Sequence, residues 1–119
     1  MKPGMHGSTF GGNPLASNIA IEAINIIKNE NLIENADKMG KIFRRTLSPY
    51  KPIFIKDVRG KGLLNAIEFH SSKQANDFVE NCCHNGILTK TTQDTVVRMC
   101  PPLTITKSQL YTSLEIITY

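Results

Sequence analysis

The sequence predicts an α+β domain with a small, mostly antiparallel sheet covered by helices. Three observations predict it. Residues 13–47 repeat apolar side chains at helical spacing. Residues 53–69 switch to two short apolar, partly β-branched runs split by a glycine turn. Helical and strand-like stretches then alternate to the end, giving the order loop, α, α, β, β, α, β, β, α.

The first dozen residues, Met1 to Gly12, hold four glycines and a proline and read as a loop with little to build a core. Asn13-Pro14 opens a helix, because asparagine caps well and proline suits the first helical position. Leu15, Ile19, Ala23, Ile26 and Ile27 follow, and the pattern weakens at Lys28-Asn29-Glu30-Asn31. A second helix carries Leu32, Ala36, Met39, Ile42, Phe43 and Leu47 and stops before Pro49. The two helices are expected to pack through these stripes.

The character changes at Pro52. Ile53–Val58 reads as a strand, Arg59-Gly60-Lys61-Gly62 as a turn, and Leu63–Phe69 as an antiparallel partner strand. Ser71 or Ser72 can cap a third helix through Ala75, Phe78, Val79, Cys82 and Cys83, which Gly86 ends. Ile87–Thr89 and Thr95–Met99 read as short strands, and Pro101-Pro102 stops the second. Thr106 with Gln109 forms a capping-box pattern before a last helix with Leu110, Leu114 and Ile117.

Composition narrows the function classes. A hydrophobic fraction of 40% and a charged fraction of 20% suit a folded domain, not a disordered segment. The net charge of +4 comes without a long basic run. Phe54 and Phe69 are the only strand aromatics, so a nucleic-acid-binding sheet is not expected. No apolar run is long enough to span a membrane. Three cysteines, Cys82, Cys83 and Cys100, lack metal or disulfide spacing and read as small structural thiols. His6, His70 and His84 have no partners at metal spacing. Asp57, Glu68 and Asp94 are scattered, and no serine stands in a triad pattern. Lys90 lies among Thr89, Thr91 and Thr92, too polar a setting to depress an amine for covalent catalysis. Arg59 and Lys61 read most simply as turn residues.

Two places could carry chemistry. In His6–Pro14, glycines allow close backbone approach, Ser8 and Thr9 offer adjacent hydroxyls, and a helix N-terminus follows. That chemistry suits a phosphate, although an ordinary glycine-rich connector has the same composition. Arg98 stands between Val97 and Met99 in an apolar strand. A guanidinium held there suits bidentate grip of a carboxylate, and an exposed arginine on a half-buried edge strand is the plainer alternative.

Three stretches together bear a resemblance. His6–Leu15, Val58–Ile67 and Val97–Leu103 resemble, in order and spacing, segments of the class-III pyridoxal-phosphate-dependent aminotransferases, across essentially the whole chain. Lys61, Leu64-Asn65-Ala66 and Glu34–Lys38 resemble the ornithine aminotransferase branch more than the acetylornithine or γ-aminobutyrate branches. Met99-Cys100 departs from the aromatic or small residues common beside the family's arginine. The resemblance implies the C-terminal small domain of a fold-type I transferase over residues 14–119, preceded by an interface loop at 1–13. It implies a homodimer in which Thr9, with Ser8, reaches the pyridoxal 5'-phosphate of the other subunit, and in which Arg98 holds the α-carboxylate of glutamate or 2-oxoglutarate. The implied reaction moves the δ-amino group of ornithine to 2-oxoglutarate, in the cytoplasm or a mitochondrion. The family's Schiff-base lysine, the acidic partner of the pyridine nitrogen and the stacking aromatic match nothing here. The expectation is therefore a fragment with no covalent catalytic residue, inactive alone. Another class-III ω-aminotransferase, of the acetylornithine type, and a non-catalytic α+β binding module are the competing readings.

Overall fold

A computed structural model describes residues 2–51 and 53–118; Met1, Tyr119 and Pro52, where the change of character is expected, lie outside them. The chain divides into two compact units, Met1–Leu32 and Ile33–Tyr119.

The first unit is the glycine-rich loop and helix α1 (Pro14–Asn29). Asn13 caps α1 as expected, its Oδ1 accepting from the Ala16 amide at 2.9 Å. The helix ends where Asn31 takes φ 51°, a left-handed conformation that asparagine tolerates better than most residues. α1 has no buried residue, and Ile19 is 61% exposed.

The second unit holds α2 (Leu32–Leu47, its first residue at the unit boundary), a 3₁₀ turn at Ser48–Tyr50, α3 (Ser72–His84), α4 (Lys107–Thr118) and four strands. β1 is Asp57–Lys61, β2 Leu64–Glu68, β3 Lys90–Gln93 and β4 Val96–Met99. The sheet is antiparallel throughout, in the order β1-β2-β4-β3. Ala36, Met39, Phe43 and Leu47 recur at helical spacing and are buried. With Leu110 and Leu114 of α4 and Ala75 of α3 they form one core with Ile67, Val97 and Met99 of the sheet.

Two strand expectations are corrected. The first strand starts at Asp57, not Ile53, because the apolar run Ile53–Ile55 forms the approach to it: Ile55 is buried, while Ile53 and Phe54 are exposed. Arg59, Gly60 and Lys61 are strand residues, and the turn is Gly62-Leu63, with Lys61 facing Leu64. Gly62 takes φ 55° at the first central position of this two-residue loop, a place that favours glycine. Likewise Ile87–Thr89 is not a strand; the strand is the polar Lys90–Gln93. It lies at the sheet edge, where ladder pairing to β4 alone defines it.

The local signals hold. Ser71 caps α3, accepting from the Gln74 amide at 3.3 Å. Gly86 at φ 86° closes the helix as the Ile87 amide donates to the Cys82 carbonyl at 2.8 Å. Thr106 and Gln109 exchange amide bonds at 2.9 and 3.3 Å, a complete capping box. Of the cysteines only Cys82 is buried, and burial pushes its thiol up to about 11; Cys83 and Cys100 are exposed, where small buried or half-buried thiols are expected.

α2 meets the hairpin at close quarters. A Cβ on Gly40 would stand 1.8 Å from the Gly62 carbonyl oxygen. Arg44 Nη1, one turn on, donates to that oxygen at 3.0 Å and to Asn65 Oδ1 at 2.6 Å. Asn65 is the one buried polar residue among those described, and this charge-assisted bond satisfies it.

Candidate functional site

The candidate residues fall in both units: Ser8 and Thr9 in the first, Arg98 in the second. Ser8 and Thr9 begin a turn in which the Gly11 amide donates to the Ser8 carbonyl at 3.3 Å. Asn13 closes it from the other end, donating through Nδ2 to the Phe10 carbonyl at 2.7 Å while capping α1. One asparagine thus fixes both the loop and the first turn of the helix. Ser8 and Thr9 are exposed, and among the described residues neither hydroxyl has a hydrogen-bond partner. Two free hydroxyls on a glycine-rich turn are a donor set that fits a phosphate oxygen.

Arg98 sits on β4, an inner strand rather than the edge strand of the plainer alternative. Its neighbours Val97 and Met99 face the core, so strand alternation turns Arg98 to the open face, where it is exposed. Proline has no amide to extend the ladder, and the strand ends before Pro101-Pro102. Asn35 on α2 secures the segment beyond, donating to the carbonyls of Leu103 at 2.7 Å and Ile105 at 3.1 Å. Thr89 donates to the Arg98 carbonyl at 2.8 Å and pins the approach to β3 against it. The register places Arg59, Ala66, Arg98 and Lys90 on one row across all four strands. Ala66 is small and leaves room beside the guanidinium. Arg98 and Lys90 have no ion-pair or hydrogen-bond partner for their cationic groups among the described residues. Both line a cleft of about 380 Å³ with Phe43, Met99, Cys100 and Pro101 as further walls, and no carboxylate among the described residues lines it.

The outer end of the row is neutralised internally. Glu68 accepts from Lys56 and from Arg59, each at 2.6 Å, and Asp57 accepts from Lys51 and from Arg59, the latter at 3.2 Å. Lys56 first and Arg59 second hold the Glu68 carboxyl below the usual carboxylate range, and Lys51 does the same for Asp57. Residues that look scattered in sequence, Asp57, Arg59 and Glu68, are cross-strand neighbours. A depressed carboxylate contributes stability above its unfolded pKa, and that contribution is lost as pH falls through the lower folded value. Thermal stability is therefore expected to drop as pH falls below about 4. The drop should be shallower in high salt, and shallower in Glu68→Gln. A melting temperature with the same acid slope in Glu68→Gln would show that this network contributes nothing.

The sequence singles out Ser8, Thr9 and Arg98 as candidates, and it does not single out Ala66, Lys90 and Asn35 as the surroundings of the Arg98 segment. The signal for the first two is the strand register, which one chain does not display.

The aminotransferase class-III family profile matches residues 1–119. The mitochondrial ornithine aminotransferase of Rattus norvegicus is 46% identical over 120 residues, covering 98% of this chain and 27% of its own length. The crystal structure of the ornithine aminotransferase from Toxoplasma gondii ME49 matches with a TM-score of 0.87 at 45% identity, over 98% of this chain and 29% of that one. The acetylornithine aminotransferase from Elizabethkingia anophelis matches with a TM-score of 0.87 at 43% identity, over 98% and 32%. This chain thus spans a little over a quarter of the rat relative's length. With a family profile covering every residue and a shared fold at more than 40% identity, the chain belongs to the class-III aminotransferase family.

Proposed function

We propose that this chain is the C-terminal, ligand-positioning part of a homodimeric ornithine aminotransferase. That enzyme passes the δ-amino group of ornithine to 2-oxoglutarate, giving glutamate semialdehyde and glutamate. In this reading residues 14–119 are the small domain and residues 1–13 a loop serving the neighbouring subunit. The observation that carries it is Arg98: a guanidinium on the open sheet face, without an internal partner among the described residues, beside the small Ala66. Such a group is available to a ligand carboxylate and can grip it through two parallel bonds. Pyridoxal phosphate, when bound, supplies the electron sink that lets an amino group leave one substrate and join another. The work of this chain's own residues is to hold. Ser8 and Thr9 donate hydrogen bonds to the cofactor phosphate, and Arg98 orients the substrate carboxylate. None of the three makes or breaks a covalent bond, so this chain without the rest of the enzyme is expected to transfer no amino group. The compartment is the cytoplasm or a mitochondrion, the latter supported by the rat relative's name.

Steady-state kinetics of the full-length enzyme test the reading. Arg98→Ala should raise the KM for 2-oxoglutarate about 30-fold, equivalent to losing roughly 2 kcal/mol of a charged hydrogen-bonded contact. An unchanged KM would overturn the role of Arg98. A second reading, an N-acetylornithine donor, is favoured by the Elizabethkingia anophelis structure, whose TM-score equals that of the Toxoplasma gondii enzyme. Comparing ornithine with N-acetylornithine as amino donors separates the two.

A further inference from the structure

We propose that Lys90 is a specificity-determining residue of the Arg98 site, adding a second positive charge that favours a dicarboxylate oxo acid over the amino donor. The inference rests on the carboxylate role of Arg98 and goes beyond it.

Lys90 and Arg98 are direct cross-strand partners on the edge pair β3–β4. Side chains so placed have Cβ atoms about 5 Å apart, and like charges directly opposite repel. A pair of this kind is ordinarily relieved by a neighbouring carboxylate. Here none pairs with either cation among the described residues, and none lines the cleft they share. The contrast within the same row is informative. Arg59, two strands away, is held by both Asp57 and Glu68. The sheet therefore neutralises the cation on its β1 edge and leaves the Lys90–Arg98 pair open to an anion from outside.

The two cations divide the task by their chemistry. The guanidinium is planar and orients a carboxylate; the ammonium is a compact charge on a flexible stem, able to follow a second carboxylate without fixing its geometry. 2-Oxoglutarate carries two negative charges. Ornithine carries one carboxylate and two ammonium groups, so a lysine beside Arg98 attracts the first substrate more than the second. A plainer role exists for a lysine on an edge strand, which is to discourage edge-to-edge pairing between molecules. That role would alter aggregation and leave substrate constants alone.

The test uses the full-length holoenzyme with Lys90→Met, Lys90→Glu and Lys90→Arg, each checked for an unchanged melting temperature. Lys90→Met should raise the KM for 2-oxoglutarate about three- to fivefold, the size of an exposed ionic contact, with kcat and the KM for ornithine little changed. Lys90→Glu should raise it roughly tenfold or more, because the new carboxylate pairs with Arg98 and competes with substrate. Lys90→Arg should restore a KM close to that of the unaltered enzyme. The difference between Lys90→Met and the unaltered enzyme should shrink at high ionic strength. If Arg98→Ala raises the KM for 2-oxoglutarate while Lys90→Met and Lys90→Glu leave it unchanged, the inference about Lys90 fails and the role of Arg98 stands. If Arg98→Ala itself has no effect, the parent reading fails. If the Lys90 variants raise both substrates' KM values equally, the lysine does not discriminate and the proposal is overturned.

Discussion

Phe43→Ala is expected to cost about 3–5 kcal/mol of stability, the range for emptying a buried phenylalanine site. Phe43 is 2% exposed and sits in the middle of the α2 stripe, between Met39 and Leu47, in the core that joins α2 to the sheet and α4. The transfer of its ring out of water is one part of the cost. The void is the other, since helix and sheet backbones on either side cannot collapse into it. Phe43 also lines the cleft shared by Arg98 and Lys90, so truncation enlarges that cleft from its apolar side. Phe43→Leu fills most of the volume and should cost much less. Native-state hydrogen exchange of the α2 amides is a suitable measure, because it reports the local opening free energy even in a longer protein. Protection equal to that of the unaltered protein would show that the α2 face is not packed as described.

Gly40→Ala is the second large effect, and its sign is the interesting part. In an exposed helix interior this change gains about 1 kcal/mol, because alanine is the better helix former. Here the added Cβ would lie 1.8 Å from the Gly62 oxygen and 2.5 Å from the Gly62 carbonyl carbon. Those are backbone atoms of a tight hairpin, with no flexible side chain to swing aside. α2 must then move away from the β1–β2 turn. That movement breaks the Arg44 bond to Gly62 and loosens the Arg44 bond that satisfies buried Asn65. A net loss of about 3 kcal/mol is expected, overpacking outweighing propensity. Urea unfolding should show a lower midpoint for Gly40→Ala; a midpoint equal to or above that of the unaltered protein would sink the close approach of α2 to the turn.

How much of this was legible beforehand depended on whether a signal is local. The helix starts at Asn13, Ser71 and Thr106 and the stop at Gly86 were readable, because each cap uses bonds within a few residues. The strands were less so. Ile53–Ile55 and Ile87–Thr89 have the composition of strands but lead into them, while Asp57–Lys61 and Lys90–Gln93 are polar strands made by their ladder partners. Arg98 stood out because its apolar neighbours make an arginine costly there. In sequence Lys90 reads only as a nucleophile in too polar a setting, since its relation to Arg98 exists only once β3 pairs with β4. The Asp57–Arg59–Glu68 network was invisible for the same reason. The apolar stripe of α1 is a further limit, because periodicity shows that a helix has a face to bury and not what will bury it.

The sheet order β1-β2-β4-β3 also bears on how the chain reaches this state. Two of its three pairings join strands close in sequence, Lys61 to Leu64 and Gln93 to Val96. The third, β2 with β4, brings Ala66 to Arg98 across a segment that includes all of α3. Closing so long a segment carries the largest loop entropy in the sheet, so its contacts are rewarded only after both hairpins and α3 are in place. The row that presents Arg98 between Ala66 and Lys90 crosses this seam. The row that carries Arg98 is thus expected to be a late product of assembly, complete only when two local hairpins have joined.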